Sequence, residues 1–115
     1  MIRYTTPALE YIVEETDLSQ GQDVYVTFKQ ELPCGTISLE KRNSDLDITT
    51  DTHGQITDTR IVVTFTQEES AKFAPEAPIL VKVNWIDSSG VRQATETAVT
   101  YAEENLLNRV ISYGD

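Results

Sequence analysis

Few residues in this chain carry reactive chemistry, and their spacing decides what that chemistry can be. Nucleophilic catalysis needs a base beside the nucleophile, and the chain holds one cysteine and one histidine, Cys34 and His53. Both stand in turn-like stretches, "LPCGT" and "TDTHGQ", and nothing local brings them together. A zinc site wants several Cys and His at short spacing, which one of each cannot supply. Calcium takes clustered hard oxygens, and "NSDLDITTDTHG" offers Asn43, Asp45, Asp47 and Asp51. The EF-hand order with its distant glutamate is missing, so these acids read as a solvent face flanking Leu46 and Ile48. Nineteen acids will always include pairs at a spacing suited to glycoside hydrolysis, so such pairs carry no specificity. The five glycines form neither a G-x-G-x-x-G nor a P-loop. The expectation is a chain with no catalytic residues, no metal and no cofactor.

The charge balance narrows the partners. Nine Lys and Arg stand against nineteen Asp and Glu, a formal net charge of −10. A phosphate backbone is bound through Lys and Arg, so nucleic acid is not an expected partner. Anionic membrane surfaces are disfavoured for the same reason, and no apolar run is long enough to span a bilayer. Such acidity serves solubility and self-repulsion, or meets a basic protein partner. The single cysteine permits no disulfide within the chain. The N-terminal "MIRYTTPALEYIVEE" has no apolar signal region, so synthesis in a cytoplasm is expected.

The elements that must position these residues are mostly strands. In "ALEYIVEE", Leu9, Tyr11 and Val13 share one parity, and Glu10 and Glu14 the other. Period two means one buried face and one wet face. "DVYVTFKQ" sends Val24, Val26 and Phe28 inward; "TISLEKR" sends Ile37 and Leu39, "NSDLDITT" Leu46 and Ile48, and "RIVVTFT" Ile61, Val63 and Phe65. Thr66 and Glu69 have the T-x-x-E spacing of a capping box, which predicts a short helix over Gln67–Phe73 with Pro75 and Pro78 beyond it. "ILVKVNWID" aligns Ile79, Val81, Val83 and Trp85, so the one tryptophan extends a core row of a hairpin whose turn is "DSSG". "VRQATETAVTY" alternates weakly and suits a sheet edge or a partner surface.

About seven strands in a 115-residue chain predict a single domain over 1–115. Its fold class is all-β, an immunoglobulin-like two-sheet sandwich. The tail over 102–115 differs in character. Leu106, Leu107, Val110 and Ile111 sit three or four apart, which is helical spacing. It either covers the end of the sandwich as a short helix or extends into another subunit. If unpaired, its apolar residues form a patch that wants a partner. The interaction residues expected are Tyr101, Leu106, Leu107, Val110, Ile111 and Tyr113.

Four segments, "TTPALEYIV", "VYVTFKQ", "VVTFTQEESAKF" and "VKVNWIDSSGVRQATE", carry a resemblance. Their order and wording resemble small β-sandwich proteins encoded among the tail genes of phages and prophages of Firmicutes. They are similar to the N-terminal domain of phage baseplate upper proteins. The resemblance implies a non-enzymatic virion structural role in the tail or baseplate, with other tail, baseplate or fibre proteins as partners and a homo-oligomer as a further expectation. It implies residence in the virion after synthesis in the bacterial host cytoplasm. Baseplate upper proteins continue into a fibre-forming region, whereas this sequence stops at Asp115. The alternative is a carbohydrate-binding module or adhesin-like domain, with Tyr4, Tyr25 or Tyr113 stacking on sugars.

Overall fold

A computed structural model describes residues 1–113; Gly114 and Asp115, the end of the tail, lie outside the described residues. Alternation of side chains builds two antiparallel sheets. Strands β1 (Ala8–Val13), β2 (Val24–Leu32), β3 (Gly35–Arg42), β4 (Leu46–His53) and β5 (Ile56–Thr64) precede one helix, α1 (Gln67–Ala71). Strands β6 (Pro78–Ile86), β7 (Arg92–Ala94) and β8 (Ala98–Tyr101) follow. One sheet has the order β1-β5-β4; the other has β3-β2-β6, with β7 and β8 both pairing the free side of β6.

The chain is thus the expected all-β two-sheet sandwich. The immunoglobulin likeness lies in the layering. In immunoglobulin domains the second strand pairs with the fifth, whereas here β2 pairs with β3 and β6.

The inward rows are those the alternation selects. Val24, Val26, Phe28, Ile61, Val63, Phe65 and Ile79 are fully or almost fully buried, each worth about 1.5–3 kcal/mol of apolar transfer. Phe28 meets Phe65 edge-on at 4.9 Å between ring centroids and Tyr11 at 6.3 Å. Burial pushes the Tyr11 hydroxyl up to about 12, since the phenolate is disfavoured away from water.

Four buried polar side chains pin the connections to this core. The Gln30 amide accepts from the Ala74 N–H at 2.8 Å and donates to the Ala74 and Ala77 carbonyls at 2.8 and 3.1 Å. Thr59 donates to the Thr16 carbonyl at 2.7 Å and accepts from the Leu18 N–H at 2.9 Å. Ser70 accepts from the Thr5 N–H at 3.1 Å and reaches the Thr5 carbonyl at 2.7 Å. Lys41 donates to Glu69 at 2.7 Å. Each bond satisfies a loop or helix backbone, or a charge, that burial would otherwise penalise.

Several boundaries differ from expectation. The helix ends at Ala71, two residues before Phe73, although both halves of the Thr66–Glu69 capping box form, at 3.2 and 2.9 Å. Phe73 still enters the core, beyond the last turn. Strand β4 runs on through Asp51, Thr52 and His53, and Gly54 with Gln55 closes a two-residue hairpin. A φ of 62° at Gly54 suits the first central position of such a turn. The weak strand is two strands: Asn84 faces Ala94 and Val81 faces Ala98, so three residues, Thr95 to Thr97, oppose two. That is a bulge, sealed by Thr95, whose N–H donates to Val83 at 2.9 Å and whose hydroxyl accepts from Val83 at 3.1 Å.

Candidate interaction surface

Chemistry-bearing residues are dispersed. Cys34 is exposed in the β2–β3 turn. The C-terminal end of β2 lies by the segment after α1, as the Gln30 bonds show, while His53 lies at the other end of β5 from α1. The two are therefore at opposite ends of the sandwich. His53 Nε2 sits 3.1 Å from Asp58 and 3.9 Å from Asp51. The Asp58 hydrogen bond, then the Asp51 charge, raises its pKa above the ordinary histidine value. Asn43 serves the fold: its carbonyl accepts from Val24 N–H at 2.9 Å and its amide donates to the Gln22 carbonyl at 2.7 Å. Asp45 accepts from the Arg42 N–H, and Asp47 stays exposed. Among the described residues no three His, Cys, Asp or Glu side chains gather as a metal cage.

Trp85 is 9% exposed, in the inner row beside Val24. It lines an open groove of about 370 Å³ with Tyr25, Glu40, Asn84 and Arg92 on the outer side of the five-stranded sheet. Neither His53 nor Cys34 lines that groove.

The tail is a strap instead of a helix. Ala102 bridges Pro75 and Glu103 bridges Ile2, both parallel. Arg3 pairs with Glu104 at 2.8 Å, and Asn105 donates to the Arg3 carbonyl at 3.0 Å. Further on, the Gln67 amide mimics a strand: it donates to the Ile111 carbonyl at 2.7 Å and accepts from the Ile111 N–H at 2.8 Å. Helical spacing at Leu106, Leu107, Val110 and Ile111 is overridden: Glu103 and Ile111 take backbone partners on the N-terminal segment and α1, and the Leu107 N–H donates to the Asn105 side chain at 3.2 Å instead of closing a helical turn. Its large apolar side chains stay exposed. Leu106 and Tyr113 are fully exposed, and Leu107, Val110 and Ile111 are each over 40% exposed.

Tyr101 belongs to a different element. It closes β8 opposite Pro78, next to the Leu80–Val99 pair. Tyr101, Val99 and Leu80 are 53%, 51% and 39% exposed. The expected interaction residues thus divide between the β8 edge and the strap. Leu80, Ile86 and Val99 were not among them. Their signal is in the sequence: Leu80 and Ile86 are apolar residues on the parity of Lys82 and Asn84, where a wet face would carry polar ones.

No family model, curated protein or solved structure matches this chain.

Proposed function

We propose that this chain is a non-enzymatic interaction module, a structural component of a phage or prophage tail or baseplate that acts by contact with other virion proteins. The observation that carries the interaction role is the strap: its backbone is tied to Arg3 through Glu103 and to Gln67 through Ile111, while Leu106, Leu107, Val110, Ile111 and Tyr113 are exposed. Exposed apolar side chains concentrated on one short segment mark a contact site. The order of strand segments that resembles baseplate upper proteins supplies the virion setting. A carbohydrate-binding reading needs a presented aromatic face. Trp85 is only 9% exposed, the Tyr25 ring is covered by the Arg42 guanidinium at 4.6 Å and the Tyr4 ring by the Arg3 guanidinium at 5.4 Å, and the exposed Tyr113 belongs to the strap, so the interaction reading is preferred.

The test is incorporation. Leu106, Leu107, Val110 and Ile111 are replaced together by Ser, and particles purified after prophage induction are analysed by mass spectrometry. The unmodified chain is expected in fixed ratio to tail proteins, and the variant reduced by about tenfold or more, a loss of at least about 1.4 kcal/mol of binding. Particles that contain none of the unmodified chain would sink the virion role.

A further inference from the structure

The outward faces of the two sheets carry opposite charge. On β2 the inward row is Val24, Val26, Phe28 and Gln30, so Tyr25, Thr27, Lys29 and Glu31 face out. Register adds Glu40 and Arg42 from β3, and Leu80, Lys82 and Asn84 from β6. Arg92 joins them, donating to the Asn84 side-chain carbonyl at 3.1 and 3.2 Å. Four of the nine Lys and Arg of an acidic chain therefore share one face, against Glu31 and Glu40. On β5 the inward row is Thr59, Ile61 and Val63, so Asp58, Arg60 and Val62 face out. Register adds Asp47, Asp51 and His53 from β4, and Glu10 and Ile12 from β1. Here four carboxylates face Arg60, already paired with Glu10 at 3.3 Å, and His53, already bonded to Asp58. Each face also exposes apolar side chains: Leu80, Ile86 and Val99 on the basic one, Ile12 on the acidic one.

We propose that the basic outer face of the five-stranded sheet docks on the acidic outer face of the three-stranded sheet of a second copy of this chain. The charge pattern favours this occupant because the rest of the same molecule supplies the complement. At about 0.1 M salt the Debye length is ~10 Å. Faces in contact attract, whereas the net charge of −10 is spread over a body whose shortest extent is 21 Å and is largely screened. Three strands at about 4.8 Å spacing present a face on the order of 300 Å². Two such faces bury less than the roughly 1,200 Å² of a stable interface, so the association is weak and is read at high protein concentration. The contact joins unlike surfaces, so repetition gives a ring or an open stack. This inference does not rest on the virion reading.

Sedimentation velocity tests it with two variants, Lys29→Ser/Lys82→Ser and Asp47→Ser/Asp51→Ser, all four side chains being exposed. Circular dichroism confirms that each variant keeps the strand spectrum. The unmodified chain is expected to associate at about 0.1 M salt and to fall apart near 1 M, where the Debye length is about 3 Å. Each variant alone is expected to be monomeric, and an equimolar mixture to stop at dimers, because each retains one intact face. General repulsion between like-charged molecules would move the variants in opposite directions, since one becomes more acidic and the other less. An unmodified chain that stays monomeric at its highest soluble concentration overturns the proposal. So does association that survives high salt or either variant, and so does a mixture that stays monomeric.

Discussion

Glu69 serves two elements at once. Its carboxylate accepts from the Thr66 N–H at 2.9 Å, closing the capping box, and from Lys41 at 2.7 Å, tying α1 to β3. Burial by itself would raise its pKa, but the Lys41 hydrogen bond, helped by the Thr66 N–H, holds it below the ordinary glutamate value. The two roles separate by substitution. Glu69→Gln keeps a cap acceptor and loses the charge, and is expected to cost about 1 kcal/mol; Glu69→Ala loses both and strands Lys41, at about 2–3 kcal/mol. Urea unfolding reads the order, and equal losses would show that the cap carries no separate share. Of these residues the cap was legible in the sequence, because T-x-x-E is a local pattern. Lys41 was not, although it shares the parity of Ile37 and Leu39, because its partner is brought in by tertiary packing. Gln30 likewise continues the Val24, Val26, Phe28 row, and only the passing Ala74 and Ala77 backbone makes an amide there worth burying.

The strap is the element whose behaviour is easiest to change. Gln67 holds Ile111 through two hydrogen bonds, and Arg109 lies just ahead of that anchor. Gln67→Ala is expected to raise the rate of trypsin cleavage after Arg109 about tenfold, since opening the segment no longer breaks two bonds worth about 1.4 kcal/mol together. The unfolding midpoint should move little. An unchanged cleavage rate would mean that the strap is held by something other than Gln67. The edge position of the weak strand was legible, and β7 and β8 do pair only with β6; the strap and the break within that edge were the parts the sequence hid. Helical spacing in "NLLNRVI" predicts only which faces a helix would have; it does not say whether a helix finds a surface to cover. The interruption in "VRQATETAVTY" is a bulge, which shifts parity mid-strand and makes any single alternation look weak. The turn at Glu14–Glu15 was also hidden, because Glu15 takes a φ of 54° with its N–H held by Asp58 at 2.9 Å, where no glycine marks it.

At the scale of the whole molecule, stability should fall on acidification. Glu69 and three aspartates are held below their ordinary values: Asp17 by Ser19, Asp58 by the Glu15 N–H and then His53, Asp87 by the Val91 N–H and then Gln93. The folded form then binds fewer protons than the unfolded chain. Stability present above the ordinary carboxylate values is lost as pH falls through the lowered folded ones. The urea midpoint is expected to hold near pH 6 and to drop below about pH 4; a midpoint that climbs between pH 5 and 3 would contradict this. His53 runs the other way: its small, solvent-screened contribution is present below about pH 6.5 and fades as pH rises through its raised folded value. The two-sheet sandwich was legible because alternation names the buried side of each strand. The pairing order was not, because parity says nothing about which neighbour a strand takes. The opposed charge of the outer faces follows only once register is known. One joint has a mechanical meaning. Residues 1–3 and 103–104 run side by side in the same direction, through Glu103 N–H to Met1 at 2.7 Å, Arg3 N–H to Glu103 at 2.9 Å and the Arg3–Glu104 ion pair at 2.8 Å. A tensile load between Met1 and Glu104 would pull these segments past each other along their length. All three links would then be strained in shear together, sharing the load instead of peeling open one by one.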